Sequence, residues 1–357
     1  MHKIILKCKT ITPLFMAGSD AKTPELRPSE FKGMMRYWWR LLQSESDYRK
    51  LLKREAEIFG GSGDKEGKSK VHIKVYPQPR EFGSNLQQEN QLNWNFNRQT
   101  RRLEGLHQGI GYLFYSLVQR NRERKYIKPD FEFHLEISSY NLDSFKHATN
   151  ALWAAIYLGG FGSRSRRGAG SIEVRSIESN TSIDVDFRIP QGNNSSAIKQ
   201  YLEKNIKKIL NKNNNPIIYP SLNQSKILIL EPSDNWKDAL NKIGTIYAEF
   251  RYKNKNKIFE MGAFGMPIIH SNSNIKIVPY ELVGNRSKKI SERMASPLII
   301  KLIRYENKIY PIITKMSIPK IFVGKEQNNR FQEKQEINDS VINNFLNSIN
   351  NKQEIQL

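Results

Sequence analysis

Cys8 is the only cysteine in 357 residues, so neither a disulfide framework nor a cysteine-based zinc site can form within one chain. No segment approaches the ~20 consecutive apolar residues that a membrane helix needs. The apolar run in MHKIILKCKT is too short and too broken for a signal peptide, and the expected location is the cytoplasm. Acidic residues are scarce beside basic ones: 35 Asp and Glu against 57 Lys and Arg, a formal charge of +22. The six histidines, at 2, 72, 107, 134, 147 and 270, show no spacing that would pair them for acid–base work. Nothing in the sequence asks for a metal or a cofactor. An excess of positive charge this large on a folded chain calls for a polyanionic partner, with nucleic acid ahead of a membrane surface.

What is present is led by Arg27 to Gln43, RPSEFKGMMRYWWRLLQ. Pro28 suits a first helical turn, and Ser29 and Glu30 add capping and first-turn acidity. At about 100° per residue, Phe31, Met35, Trp38 and Leu42 share one side. Lys32, Arg36 and Arg40 line an adjoining side, and Trp39 falls beside Lys32 where the two stripes meet. The apolar stripe is expected to face a core and the basic stripe phosphates. On that assignment, replacing Phe31 or Trp38 costs stability, while replacing Lys32 or Arg36 weakens RNA binding and spares stability. Trp39 has two readings, as a ring that stacks on a splayed base or as one that completes the core.

Residues 3–11 alternate as a first strand, and a charged helix is expected at 48–59. A strand follows near 70–76, then 109–120 as a strand or short helix, a strand at 131–137 and a helix at 143–158. In 94–102, Trp94 and Phe96 interleave with Arg98, Arg101 and Arg102, either to stack on RNA or to pin a loop. The order strand, helix, strand, strand, helix, glycine loop, strand is βαββαβ, a ferredoxin-like order with long insertions. Three regions are expected: a ferredoxin-like domain over 1–180, a polar inter-domain segment over 181–225 with a short helix near 196–210, and a second domain over 226–357. The latter holds a helix at 234–248, a basic loop at 251–257, a hairpin turning near Glu306–Asn307 and a helix within 338–350. Its last residues are expected to fray.

The second informative stretch is GGFGSRSRRGAGSIEV, beginning at Gly159. Its glycines allow positive φ and close approach, so successive N–H groups could face an oxygen, and the arginines add bidentate charge. It lacks the Gly-Lys-Ser/Thr ending of a phosphate loop, and it follows a helix where a dinucleotide fingerprint follows a strand.

The runs TPLFMAGSD, ELRPSEFKGMMRYWWRLL and LGGFGSRSRRGAGSIEV resemble the hallmark motifs of the RAMP superfamily of CRISPR effector complexes. The first two are especially similar to the first-subunit family of the Cmr (type III-B) complex, and residues 292–302 to a motif in that family's second half. The resemblance implies an α+β chain of two ferredoxin-like, RRM-related domains. It implies a non-catalytic, antiviral role gripping crRNA or target RNA near the crRNA 3′ end, packed against other RAMP subunits. Lys32, Arg36, Trp39, Arg40, Gly160, Gly162, Arg164, Arg166, Arg167 and Gly168 carry over as RNA-binding residues, and Ser163 and Ser165 lie among them. The competing reading is a ribonuclease of the same superfamily that uses Asp20 or a histidine. The two basic clusters are expected to share one nucleic-acid path.

Overall fold

The computed structural model describes residues 1–61, 63, 66–117, 124–192, 194–212, 219–270, 275–283, 286–289, 293–318, 321–327 and 330–357. Within the stretches read above, 118–120, Asn193, 213–218 and Glu292 lie outside the described residues.

The first half runs β1 (His2–Thr10), α1 (Pro28–Leu42), α2 (Tyr48–Phe59) and β2 (His72–Tyr76). An excursion follows: α3 (Leu86–Glu89), the hairpin β3 (Asn95–Asn97) and β4 (Arg102–Glu104), and α4 (Gln108–Phe114). It closes with β5 (Glu132–Ser139), α5 (Leu142–Tyr157), β6 (Ile172–Ser179) and α6 (Ser195–Ile209). The second half runs β7 (Ser221–Leu230), α7 (Trp236–Lys253), β8 (Ile268–His270), β9 (Ile275–Val283) and β10 (Arg286–Lys289). Then come β11 (Leu298–Tyr305), β12 (Lys308–Ser317), β13 (Ile321–Gln327), β14 (Arg330–Ile337), α8 (Ser340–Asn347) and β15 (Lys352–Gln356).

The first sheet has the order β2-β5-β1-β6, and every pairing is antiparallel. A second has the order β11-β12-β7-β15, also antiparallel. Taken by position in each half, both read second, third, first, fourth strand, with a helix after the first strand and another before the last. This is the ferredoxin-like α+β arrangement, made twice. The strands β8, β9, β10, β13 and β14 interrupt the second unit and form a sheet of their own.

Sequence pattern follows from which faces are covered. In β1 only alternate residues, Ile4, Leu6, Cys8 and Thr10, are buried, because one face packs on helices and the other is solvated. In β11, Leu298 through Ile303 are all buried, and β12 is buried from Ile309 to Met316. One face of that sheet, with Ile299, Ile303 and Ile312, joins a core with α1, α5 and α6. The opposite face, with Leu298, Ile300 and Leu302, joins a second core with α4, α7 and α8. Two buried faces explain the unbroken apolar runs there. The polar stretch over 181–225 places α6 in the first core through Ile198, Tyr201, Leu202 and Ile206.

Two local expectations are corrected. The C-terminal residues do not fray: β15 pairs with β7 from Lys352↔Leu230 to Gln356↔Lys226. The basic run at 251–257 is not all loop, because α7 continues through Lys253 and carries Arg251 on a helix.

Candidate nucleic-acid interface

The helix α1 buries Phe31, Met35, Trp38 and Leu42, the stripe its periodicity marks. Its basic stripe is covered by a neighbouring helix. In α2, Leu51, Ala56, Ile58 and Phe59 form a buried face, and Glu55, 1% exposed, sits within it. A carboxylate there needs charged partners. Arg36 Nε supplies one at 2.5 Å and Arg40 Nη1 the other at 2.6 Å. Arg36 also donates to the Gly60 carbonyl at 3.0 Å, and Lys32 Nζ donates to Ser69 Oγ at 3.0 Å. The stripe therefore clasps α2 and the segment after it. The Trp39 ring is 1% exposed and packs edge-on against Phe59 and His147, so it is a core ring.

The glycine loop, Gly159 to Gly170, docks onto two other motifs. Its Ser163 N–H donates to Phe15 O at 2.8 Å, and Gly170 N–H donates to Pro13 O at 2.9 Å. On its other side Ile300 N–H donates to Arg166 O at 3.1 Å. Gly162 has φ +75°, and a Cβ there would lie 2.6 Å from Phe15 O; at Gly170, φ +63°, it would meet Phe161 O at 1.8 Å. The tight packing accounts for the glycines. Within that frame four of the loop's N–H groups, those of Phe161, Ser163, Arg167 and Gly170, donate to protein carbonyls. Gly160 and Gly168 lie within this packed frame, Gly168 against Leu240.

What the loop presents is side chains. Arg164, Ser165, Arg166 and Arg167 line a cleft of about 1150 Å³ with Arg101, Arg102, Arg251 and Lys255. Among the described residues, Glu249 is the one acidic residue in the lining. Among the described residues, no carboxylate lies within 4 Å of Arg102, Arg164, Arg166, Arg167 or Arg251. Arg164 Nε donates to Ser116 Oγ at 2.9 Å, and Arg166 Nη1 donates to Ser296 O at 2.8 Å. Ser163 Oγ, outside the lining, accepts from Arg124 at 3.2 Å. Apolar side chains share the lining, including Met261, Phe264, Met266, Ile269 and Met294.

The cleft does not include Lys32, Arg36, Trp39 or Arg40. The helix stripe and the loop arginines line no common cleft, although Arg166 lies over the Tyr37 ring of the same helix, its guanidinium carbon 4.9 Å from the ring centroid. Sequence reading missed Arg251, which it placed at the start of a basic loop, although Ile243, Tyr247 and Phe250 carry the apolar period of α7 up to it. The two readings of 94–102 divide by residue. Trp94 is buried, and Gly111 leaves room for its ring; Phe96 is 53% exposed in the cleft mouth.

The first sheet's outer surface offers a contrast. Several of its cations are matched: Lys7 with Glu132 at 2.9 Å, Lys9 with Asp130 at 2.9 Å, and Arg175 with Glu173 at 3.5 Å. Asp20 is engaged in its own turn. Its carboxylate accepts from the Thr23 hydroxyl and from the Lys22 and Thr23 N–H groups, which bring its pKa down to about 2. Among the described residues no group of three His, Cys, Asp or Glu side chains could hold a metal ion, and no helix is long and apolar enough to cross a membrane.

The RAMP superfamily model matches residues 7–173. The chain is 32% identical over 191 residues to the CRISPR system Cmr subunit Cmr1-2 of Pyrococcus furiosus, covering 50% of this chain and 97% of that protein. It is 26% identical over 307 residues to Cmr1-1 of the same organism, covering 82% of this chain and 80% of the relative. The crystal structure of Cmr1 from Pyrococcus furiosus in its apo form superimposes with a TM-score of 0.65 at 21% identity, covering 99% of this chain and 98% of that one. A chain of a type III-B Cmr-beta complex bound to cognate target RNA matches with a TM-score of 0.60 at 16% identity, covering 97% and 98%. The two structural likenesses speak to the fold, and the first sequence relative to the family. The chain belongs to the RAMP superfamily and, within it, to the first-subunit family of the Cmr (type III-B CRISPR) system.

Proposed function

We propose that this chain is a non-catalytic, RNA-gripping subunit of a type III-B effector complex, and that the cleft is where it grips. The observation that carries the reading is a cleft where Arg102, Arg164, Arg166, Arg167 and Arg251 have no carboxylate of the described residues within 4 Å and share the lining with apolar side chains. Guanidinium groups match phosphate oxygens, and apolar side chains suit unstacked bases, so the cleft favours a single strand over a duplex. In RNA-guided complexes base pairing reads sequence while protein holds the backbone. Such a subunit needs phosphate contacts and no catalytic constellation. The solved relative bound to target RNA supports a place beside crRNA and target RNA, among other RAMP subunits. The resemblance implies a position near the crRNA 3′ end, and the expected location is the cytoplasm.

Asp20, the candidate for metal-assisted cleavage, has its carboxylate committed to a turn. The test is direct: single-stranded RNA is incubated with the protein and Mg²⁺ or Mn²⁺. The expected result is binding without cleavage. Cleavage by wild type that Asp20→Ala abolishes would replace this reading with the ribonuclease one.

A further inference from the structure

The cleft arginines are not equivalent, and three of them converge on one side chain. Tyr247, 1% exposed at the base of the cleft, has the guanidinium carbon of Arg167 at 4.9 Å from its ring centroid and that of Arg251 at 5.9 Å. Arg251 Nη1 also donates to its phenol oxygen at 3.4 Å. Arg164 reaches the same region from the glycine loop, with a left-handed backbone at φ +61° and its Nε held by Ser116. We propose that Arg164, Arg167 and Arg251 around the Tyr247 phenol form a discrete site for one phosphate group, and this rests on the cleft reading only for where that phosphate comes from.

The argument is one of charge balance. Cation–π attraction holds a guanidinium over a ring but cancels none of its charge. Like charges gathered in a half-buried place repel more strongly than in water. Proteins ordinarily set a carboxylate among such groups, as Glu55 is set between Arg36 and Arg40. Here no carboxylate of the described residues lies within 4 Å of the three, and Glu249 is exposed and pairs with none of them. The surroundings favour negative charge. Burial alone would raise the Tyr247 pKa, yet the charges of Arg167 and Arg251 leave it lowered. Burial, and then the charge of Arg167, lowers that of Arg164. A carboxylate ligand has too few oxygens for three guanidinium forks, whereas a phosphate can accept from all of them. Arg167 is anchored by the Phe264 and Leu298 carbonyls at 3.3 and 3.4 Å, which fixes the site's position.

The test uses the full chain with inorganic phosphate as probe, at ionic strength held constant with chloride. Phosphate should raise the melting temperature of wild type in step with the logarithm of its concentration. Arg251→Met should abolish the shift, and Arg251→Lys should keep only part of it, because the ammonium retains charge but loses the fork. If Arg251→Met does not fold, Arg164→Gln at the half-buried rim gives the same readout. Competition against labelled single-stranded RNA then assigns the source. Displacement beyond the chloride control means an RNA phosphodiester occupies the site, and stabilisation without displacement means a free phosphate does. No phosphate-specific shift, or an equal shift in Arg251→Met, overturns the site, and RNA binding that persists then leaves the cleft reading standing. Phosphate stabilisation without any RNA binding would remove the cleft reading and keep the site.

Discussion

Gly109 and Gly244 face each other where α4 crosses α7: a Cβ on Gly244 would lie 2.3 Å from the Gly109 carbonyl oxygen. The crossing is stitched by Gly109 N–H donating to Asn241 Oδ1 at 3.0 Å and Asn241 Nδ2 donating to Leu106 O at 2.7 Å. It joins the excursion of the first half to the main helix of the second. Residues of both, Tyr112 and Arg251 among them, line the cleft. The cleft's shape therefore depends on how closely two backbones approach.

Gly244→Ala tests that dependence, because two effects oppose each other. In an exposed helix the change gains up to about 1 kcal/mol of propensity. Here the methyl meets backbone, and overpacking costs about 1–3 kcal/mol. The expected outcome is a lower melting temperature and weaker RNA binding together. A raised melting temperature would mean the helices part without cost and the cleft is not set by this crossing.

Glu55→Gln should destabilise the fold by about 3–5 kcal/mol, the range for breaking a buried ion pair while its partners stay. Chemical denaturation measures it. RNA affinity in the folded variant should stay close to wild type, since the clasp lies outside the cleft. For the same reason Arg36→Ala should lower stability, the reverse of what the helix's amphipathic pattern alone suggests. Unchanged stability in both variants would return the stripe to the role of a phosphate-binding face.

The contrast shows what was readable. The buried stripe of α1 could be phased from residues 31 to 42, because helical period is a local property. The partner of Arg36 and Arg40 could not, because Glu55 reaches them only through the packing of α2. Strand β1 was legible from its alternation, and the glycine loop from its composition. The acceptors of its Ser163 and Gly170 N–H groups could not be read, since Phe15 and Pro13 lie about 150 residues earlier in the chain. Strand β15 escaped notice because KQEIQ has one buried residue, Ile355, and takes its order from β7. The third sheet combines strands from two separate insertions, and no single window contains that signal.

Lys301 gives a pH signature. It lies buried on β11, where Nζ donates to Ile172 O at 3.2 Å, and burial pushes its pKa down to about 7. The unfolded chain keeps this lysine protonated up to about pH 10.4. Between those values the unfolded state binds more protons, so this group's contribution makes stability rise as pH increases from about 7 to 10 and level off beyond. Lys301→Met should flatten that rise and be the more stable protein at neutral pH. Melting temperatures of both across pH 6–10 decide it; identical pH profiles would mean that Lys301 does not titrate in this window.

The salt dependence of single-stranded RNA affinity, compared between wild type and Arg164→Gln/Arg166→Gln/Arg167→Gln, tests the cleft most directly, once circular dichroism confirms that the variant is folded. For single strands the slope of log K against log salt is about −0.7 for each phosphate neutralised. Wild type should show a steep negative slope, and the triple variant should bind more weakly with a slope flatter by up to about 2. An unchanged slope and affinity in the folded variant would contradict the account, because the loop arginines would then touch no RNA phosphate.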